Sequence, residues 1–201
     1  MGPRALLAMN LILRLIKVLL SARFGTALGV LDVSVIRLRV WPNDLDFNLH
    51  MNNGRYLTIM DLGRIDLMAR NGSLKTFRQR RWMPVVAAQT ITFRRSLRPL
   101  QEFELHTRVV CWDEDFVYME QTFMAEGRIA ALALVRAAFV EEGRKLHSAD
   151  VLEAIGVHRR SPSMPSGIKA WTAVEDWHRE TSSADVRQRE ALAQGETPDE
   201  G

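Results

Sequence analysis

From residue 83 to residue 140 apolar and polar side chains alternate, broken only by short turns, and a single long amphipathic helical pattern precedes the run. That ratio of one helix to many strands constrains the fold more than anything else in the chain. Turns as short as Asp113-Glu114-Asp115 and Glu126-Gly127 make the flanking strands antiparallel neighbours. One helix covers only one sheet face, so the sheet must curve around it and its other surface needs a partner. Strands are predicted over 31–41, 83–97, 102–112, 116–125 and 129–140. The last is apolar almost throughout except for Arg136, the pattern of a central strand covered on both faces. The long helix is predicted over 54–70, with Asn52 and Asn53 as candidate N-caps and Asn71-Gly72 as its stop. A brief helix is predicted over 148–155.

Between the first strand and the helix lies the most polar stretch, with Asp44, Asp46, Asn48, His50, Asn52 and Asn53 close together. Core packing does not take such residues. The order D-x-N-x-H-x-N-N sets a carboxylate, an amide and an imidazole just ahead of a helix N-terminus, where developing negative charge is stabilised. Those groups can activate water. Asp46 is the candidate general base or nucleophile, His50 the proton shuttle, and Asn48 the group that orients water or carbonyl. The backbone N–H groups of Asn53 and Gly54 are candidate oxyanion donors. Plainer roles compete. Asp46 and Asn48 suit Asx turns, His50 a structural hydrogen bond, Asp61 an ion pair with Arg64, and Asp44 the surface.

Residues 5–20 are apolar apart from Asn10, Arg14 and Lys17, which with Ser21 draw one narrow polar stripe on a helix. The segment is short and charged for a membrane span, which needs about 20 apolar residues. It lacks a signal-peptide cleavage site, and Leu6 breaks the myristoylation pattern. Two expectations follow: packing on the body or a second subunit, or peripheral contact with a membrane surface. Beyond residue 157 the composition turns to Ser, Pro, Gly, Glu and Arg, which predicts a partly disordered tail from 158 to 201. The expected division is thus 1–24, an amphipathic helix; 31–157, the folded domain; and 158–201, the tail.

A net charge of +3 without a basic cluster interleaved with aromatics argues against nucleic acid. The lone Cys111 excludes an internal disulfide and sits in a strand pattern, as a core residue would. No His spacing suits a metal, and neither G-x-S-x-G nor a glycine-rich phosphate loop is present. No cofactor is expected, and the expected location is cytoplasmic, with residues 5–20 as a candidate membrane contact.

Over residues 32–157 this layout resembles the hotdog-fold thioesterase superfamily, in the branch of 4-hydroxybenzoyl-CoA thioesterase-like and acyl-ACP thioesterase-like proteins. The residues that carry the resemblance are Asp46, Asn48, His50, Asn52, Asn53 and Tyr56, then Asp61 and Arg64. It implies an α+β hotdog fold, a curved antiparallel sheet wrapped around one central helix, here with an extra N-terminal amphipathic helix. It also implies a homodimer or higher oligomer joined edge to edge, with acyl-CoA or an acyl carrier as the substrate. Coenzyme A would then be part of the substrate. The family's loop carboxylate maps onto Asp46, its Asn and His onto Asn48 and His50, and its backbone donor onto Asn53. Gly54, Tyr56 and Asp61 would line the substrate side, Asp61 because another hotdog branch uses a helix carboxylate.

The expected activity is therefore hydrolysis of a fatty or aryl thioester. Two alternatives stand beside it. A hotdog enoyl-thioester hydratase or dehydratase uses D-x-N-P-x-H, from which this chain departs by lacking the Pro and bringing the His one residue early. A non-catalytic acyl-binding or membrane-associated hotdog protein would suit the greasy N-terminal segment.

Overall fold

The computed structural model describes the backbone of residues 3–193 and the side chains of 10–182. The chain divides into two compact units, Met1–Pro162 and Ser163–Gly201. In the first, α1 (Pro3–Phe24) is followed by β1 (Ser34–Arg39), a 3₁₀ turn at Pro42–Asp44, α2 (Asn53–Arg70) and α3 (Ser73–Arg80). Strands β2 (Met83–Phe93), β3 (Glu102–Trp112), β4 (Val117–Ala125), β5 (Arg128–Glu141) and β6 (Arg144–Leu146) come next, then α4 (Ser148–Ala154). The second unit holds α5 (Ser166–Ala193).

Among the described residues one antiparallel sheet runs in the order β1-β3-β4-β5-β2, with β6 added on β5. The sheet curls as a half-barrel around α2, the predicted hotdog arrangement. Alternation makes this possible: β1 points Ser34, Ile36 and Leu38 inward and Val35, Arg37 and Arg39 outward. From α2, Tyr56, Ile59, Met60 and Leu62 meet Leu38, Leu105, Phe123 and Val135 in the main core. Each such side chain, taken from water, contributes roughly 1.5–3 kcal/mol. That outweighs the roughly 1 kcal/mol that a mid-helix glycine such as Gly63 costs against alanine. Gly63 is required there, because a Cβ would lie 2.5 Å from Thr107 Oγ1 and 2.8 Å from Leu105. A second core joins Leu67, Phe77, Val109, Val117, Phe139 and Val151 near the far end of α2.

Several expectations change. β4, not β5, is the central strand, although β5 is still buried along most of its second half. Residues 73–80 form α3, where only sheet was expected; Ser73 and Phe77 are the buried residues of this short, mostly polar helix, with Leu74 half-buried. α5 occupies much of the segment expected as a tail. Its many Ala, Glu, Arg and Gln residues are good helix formers, and the Trp171 indole donates to Glu175 one turn on, at 2.9 Å. Residues 194–201 of that tail lie outside the described residues.

The polar stripe of α1 also behaves differently from a solvated face. Arg14 is buried with Val18 and Ala22, whereas Lys17 and Ser21 are exposed. α1 packs against α2 and reaches the β1 edge, where Arg14 donates to the Arg39 carbonyl at 3.0 Å. Cys111 is buried, as expected. Among the described residues, no helix is long and apolar enough to cross a membrane.

Candidate active site

The stretch from β1 to α2 folds around Asp44. Its carboxylate is wholly buried and accepts from Arg14 at 2.5 Å, from Arg55 at 2.9 Å and from the Trp41 amide at 2.8 Å. A carboxylate removed from water needs such partners, so the surface position expected for Asp44 is corrected. Its carbonyl also accepts from the Asn52 amide at 2.8 Å, which sets the start of α2 beside the loop's entry. Between these anchors, residues 45–51 turn back on themselves through a Leu45–Met51 bridge. Met51, buried, donates its amide to the Leu97 carbonyl at 2.9 Å. At the tip Leu49 adopts φ 59°, a left-handed conformation that costs a non-glycine residue of order 1–3 kcal/mol. Phe47 there is fully exposed.

Asp46 and His50 face each other across this hairpin. The Asp46 amide donates to the His50 carbonyl at 2.8 Å, and the His50 amide donates to Asp46 Oδ1 at 3.2 Å. Asp46 Oδ1 also takes the Asn48 amide at 2.9 Å, an Asx turn. The carboxylate is thereby held in one orientation, with Oδ2 free of any hydrogen-bond partner among the described residues. The Asp46 and His50 side chains are half-buried, while Asn48 is exposed at the tip. At the helix start, Asn52 Oδ1 accepts from the Gly54 amide at 2.8 Å. Asn52 is thus the side-chain cap, and the Gly54 N–H is already taken. The Asn53 N–H, first of the helix, is the donor left over.

Tyr56 belongs to the core. Its ring packs edge-on against Phe93 and Phe123, and burial raises its phenol above the ordinary range while a bond to the Leu97 backbone opposes this. Asp61 is paired with Arg64, as the plainer expectation had it. The carboxylate is largely exposed while the guanidinium is buried and donates to Gln121 at 2.8 Å. Burial lowers the Arg64 pKa, and Asp61 works against that shift. Gln121 in turn donates to Thr107 and to the Met60 carbonyl, each at 2.9 Å. This buried polar chain escapes sequence reading, since its members lie far apart along the chain. The one hint is a Gln at an inward-facing strand position.

Asp61 and Arg64 also line a cavity of about 440 Å³ between α2 and the β2–β5–β4 side of the sheet. Val86, Met119, Phe139 and Leu152 make its wall apolar. Met119 lines this cavity, whereas Met60 is buried in the core and Phe93 is partly exposed on β2. Among the described residues no group of His, Cys, Asp and Glu could hold a metal ion.

A family model described as the thioesterase-like superfamily matches residues 40–172, which take in the loop, the helix and the whole sheet beyond β1. The chain belongs to the thioesterase-like superfamily. Among curated relatives, Protein THEM6 of Danio rerio is 43% identical over 109 residues, covering 53% of this chain and 54% of the relative. The "Probable thioesterase YBR096W" of Saccharomyces cerevisiae is 25% identical over 120 residues, covering 58% and 52%. The chain spans about half the length of these relatives. Among solved structures, the "YbaW Probable Thioesterase" of Escherichia coli superposes with a TM-score of 0.57. It is 20% identical, with 60% of this chain and 95% of that chain covered, and supports the hotdog fold alone. The candidate residues Asp46, Asn48, His50 and Asn53 lie within the matched residues.

Proposed function

We propose that this member of the thioesterase-like superfamily hydrolyses acyl thioesters of coenzyme A or an acyl carrier protein, releasing a fatty or aryl acid and a thiol. The observation that carries the proposal is the Asp46 carboxylate, held in one orientation by the Asn48 and His50 backbone amides in the hairpin that leads into α2. Asp46 takes a proton from water through Oδ2, and the resulting hydroxide adds to the thioester carbonyl. The Asn53 N–H and the α2 dipole stabilise the oxyanion. On collapse the C–S bond breaks, and the proton held by Asp46 passes by way of His50 to the leaving thiolate, which returns both groups to their starting states. A direct attack by Asp46 is the second route: an acyl anhydride forms as the thiolate leaves, and water then splits the anhydride. The apolar cavity lined by Asp61 and Met119 has room for an acyl group, and its α2 lining starts about two turns along the helix from Asn53.

A second copy would complete the site. β2 bonds to β5 on one side, and its apolar Met83, Val85, Val86 and Phe93 are exposed. Such an edge suits pairing with its own symmetry mate. A thiol-release assay over short, long and aryl acyl-CoAs and their acyl-carrier counterparts tests the function. Turnover of at least one class is expected, and none with any substrate would overturn the hydrolase reading. A non-catalytic acyl-binding protein is then favoured, a reading that already has the Asx turn of Asp46 and the Arg64 partner of Asp61 in its support.

A further inference from the structure

α1 turns its apolar side away from the protein. At 3.6 residues per turn, buried Arg14, Val18 and Ala22 fall on one side, with half-buried Leu11 and Leu15. Ile12, Leu13, Ile16, Leu20 and Phe24 lie on the other, with Leu13 60%, Leu20 57% and Phe24 86% exposed. An outward apolar surface of this kind marks an interaction site. It is displayed by design of the packing, because the buried Arg14–Asp44 pair fixes the helix to the body in this orientation.

Charge selects the occupant. Residues Pro3–Phe24 include Arg4, Arg14, Lys17 and Arg23 but no Asp or Glu. Arg14 is engaged with Asp44, while Lys17 and Arg23 are exposed on the outward half among the apolar residues. Self-pairing of two such faces would bring cations together with no acidic residue on either helix to meet them. A bilayer carrying anionic headgroups supplies both complements, acyl chains for the Leu and Ile residues and phosphates for Lys17 and Arg23. With no described helix able to cross a membrane, the mode open to α1 is lying in the surface plane.

We propose that this chain docks on anionic membrane surfaces through the outer face of α1, with Lys17 and Arg23 at the headgroups. The proposal is independent of any hydrolytic activity. The test is flotation of the full chain with phosphatidylcholine vesicles, with and without phosphatidylglycerol, alongside light scattering for mass. Binding to the phosphatidylglycerol vesicles is expected, weakened by added salt. The Leu13→Glu/Leu20→Glu and Lys17→Glu/Arg23→Glu variants should each lose at least about tenfold in binding, with mass and far-UV circular dichroism unchanged. Failure of the full chain to float with either vesicle would overturn the proposal, as would variants that bind like the parent. A mass that falls in Leu13→Glu/Leu20→Glu, with no vesicle binding by the parent, would assign the face to a second copy instead.

Discussion

Asp44 accepts from Arg14, from Arg55 and from the Trp41 amide while itself fully buried. Asp44→Asn would leave two guanidinium groups without their countercharge, one of them buried. A loss of about 3–5 kcal/mol in urea denaturation is expected, and one below about 1 kcal/mol would contradict this account of the residue. Gly63 sets a second test. Gly63→Ala pushes a methyl group toward Thr107, Leu105 and Gln121, and overpacking of this sort costs about 1–3 kcal/mol despite alanine's better helix propensity. Legibility differed sharply between residues. Asp46, His50 and the Asn52 cap could be found because their partners are local. Asp44 could not, since Arg14 lies thirty positions upstream and no periodicity links the two.

The β3–β4 hairpin shows what local sequence specifies well. Asp113 Oδ1 accepts from the amides of Asp115 and Phe116, at 3.0 and 2.8 Å, and closes the turn that its acidic run predicts. Its other oxygen accepts from the Tyr118 hydroxyl at 2.6 Å. Burial, then the bond to Asp113 and its charge, hold the Tyr118 phenol well above the ordinary range, and burial raises Tyr56 as well. These are the chain's two tyrosines. Above about pH 10 the unfolded chain gives up these protons before the folded one does, so the unfolded state binds fewer protons and stability falls as pH rises. Urea midpoints at about pH 8 and about pH 11 should show that decline, with Tyr118→Phe flattening it; an equal slope in the variant would contradict the assignment. α3 and α5 were illegible for the opposite reason. Among the described residues they bury few side chains, and the apolar periodicity that marks α2 is thin in both sequences.

For the whole molecule, one helix followed by alternating strands was enough to imply a curved sheet around α2. What α1 covers was not, because its outward residues are the apolar ones and its buried Arg14 reads as solvated. The exposed apolar edge of β2 leads to an expected solution mass of about twice 22.9 kDa by light scattering. A monomer at micromolar concentration would contradict the edge-to-edge assembly. The central claim is that thioester hydrolysis runs through the carboxylate at position 46, and Asp46→Asn tests it most directly. Asparagine keeps an oxygen for the Asn48 and His50 amides, so the hairpin survives, but it can neither take a proton from water nor attack a carbonyl. Steady-state thiol release from the best acyl thioester should fall at least about 10²-fold in kcat, with the melting temperature unchanged; full kcat in Asp46→Asn would contradict the account.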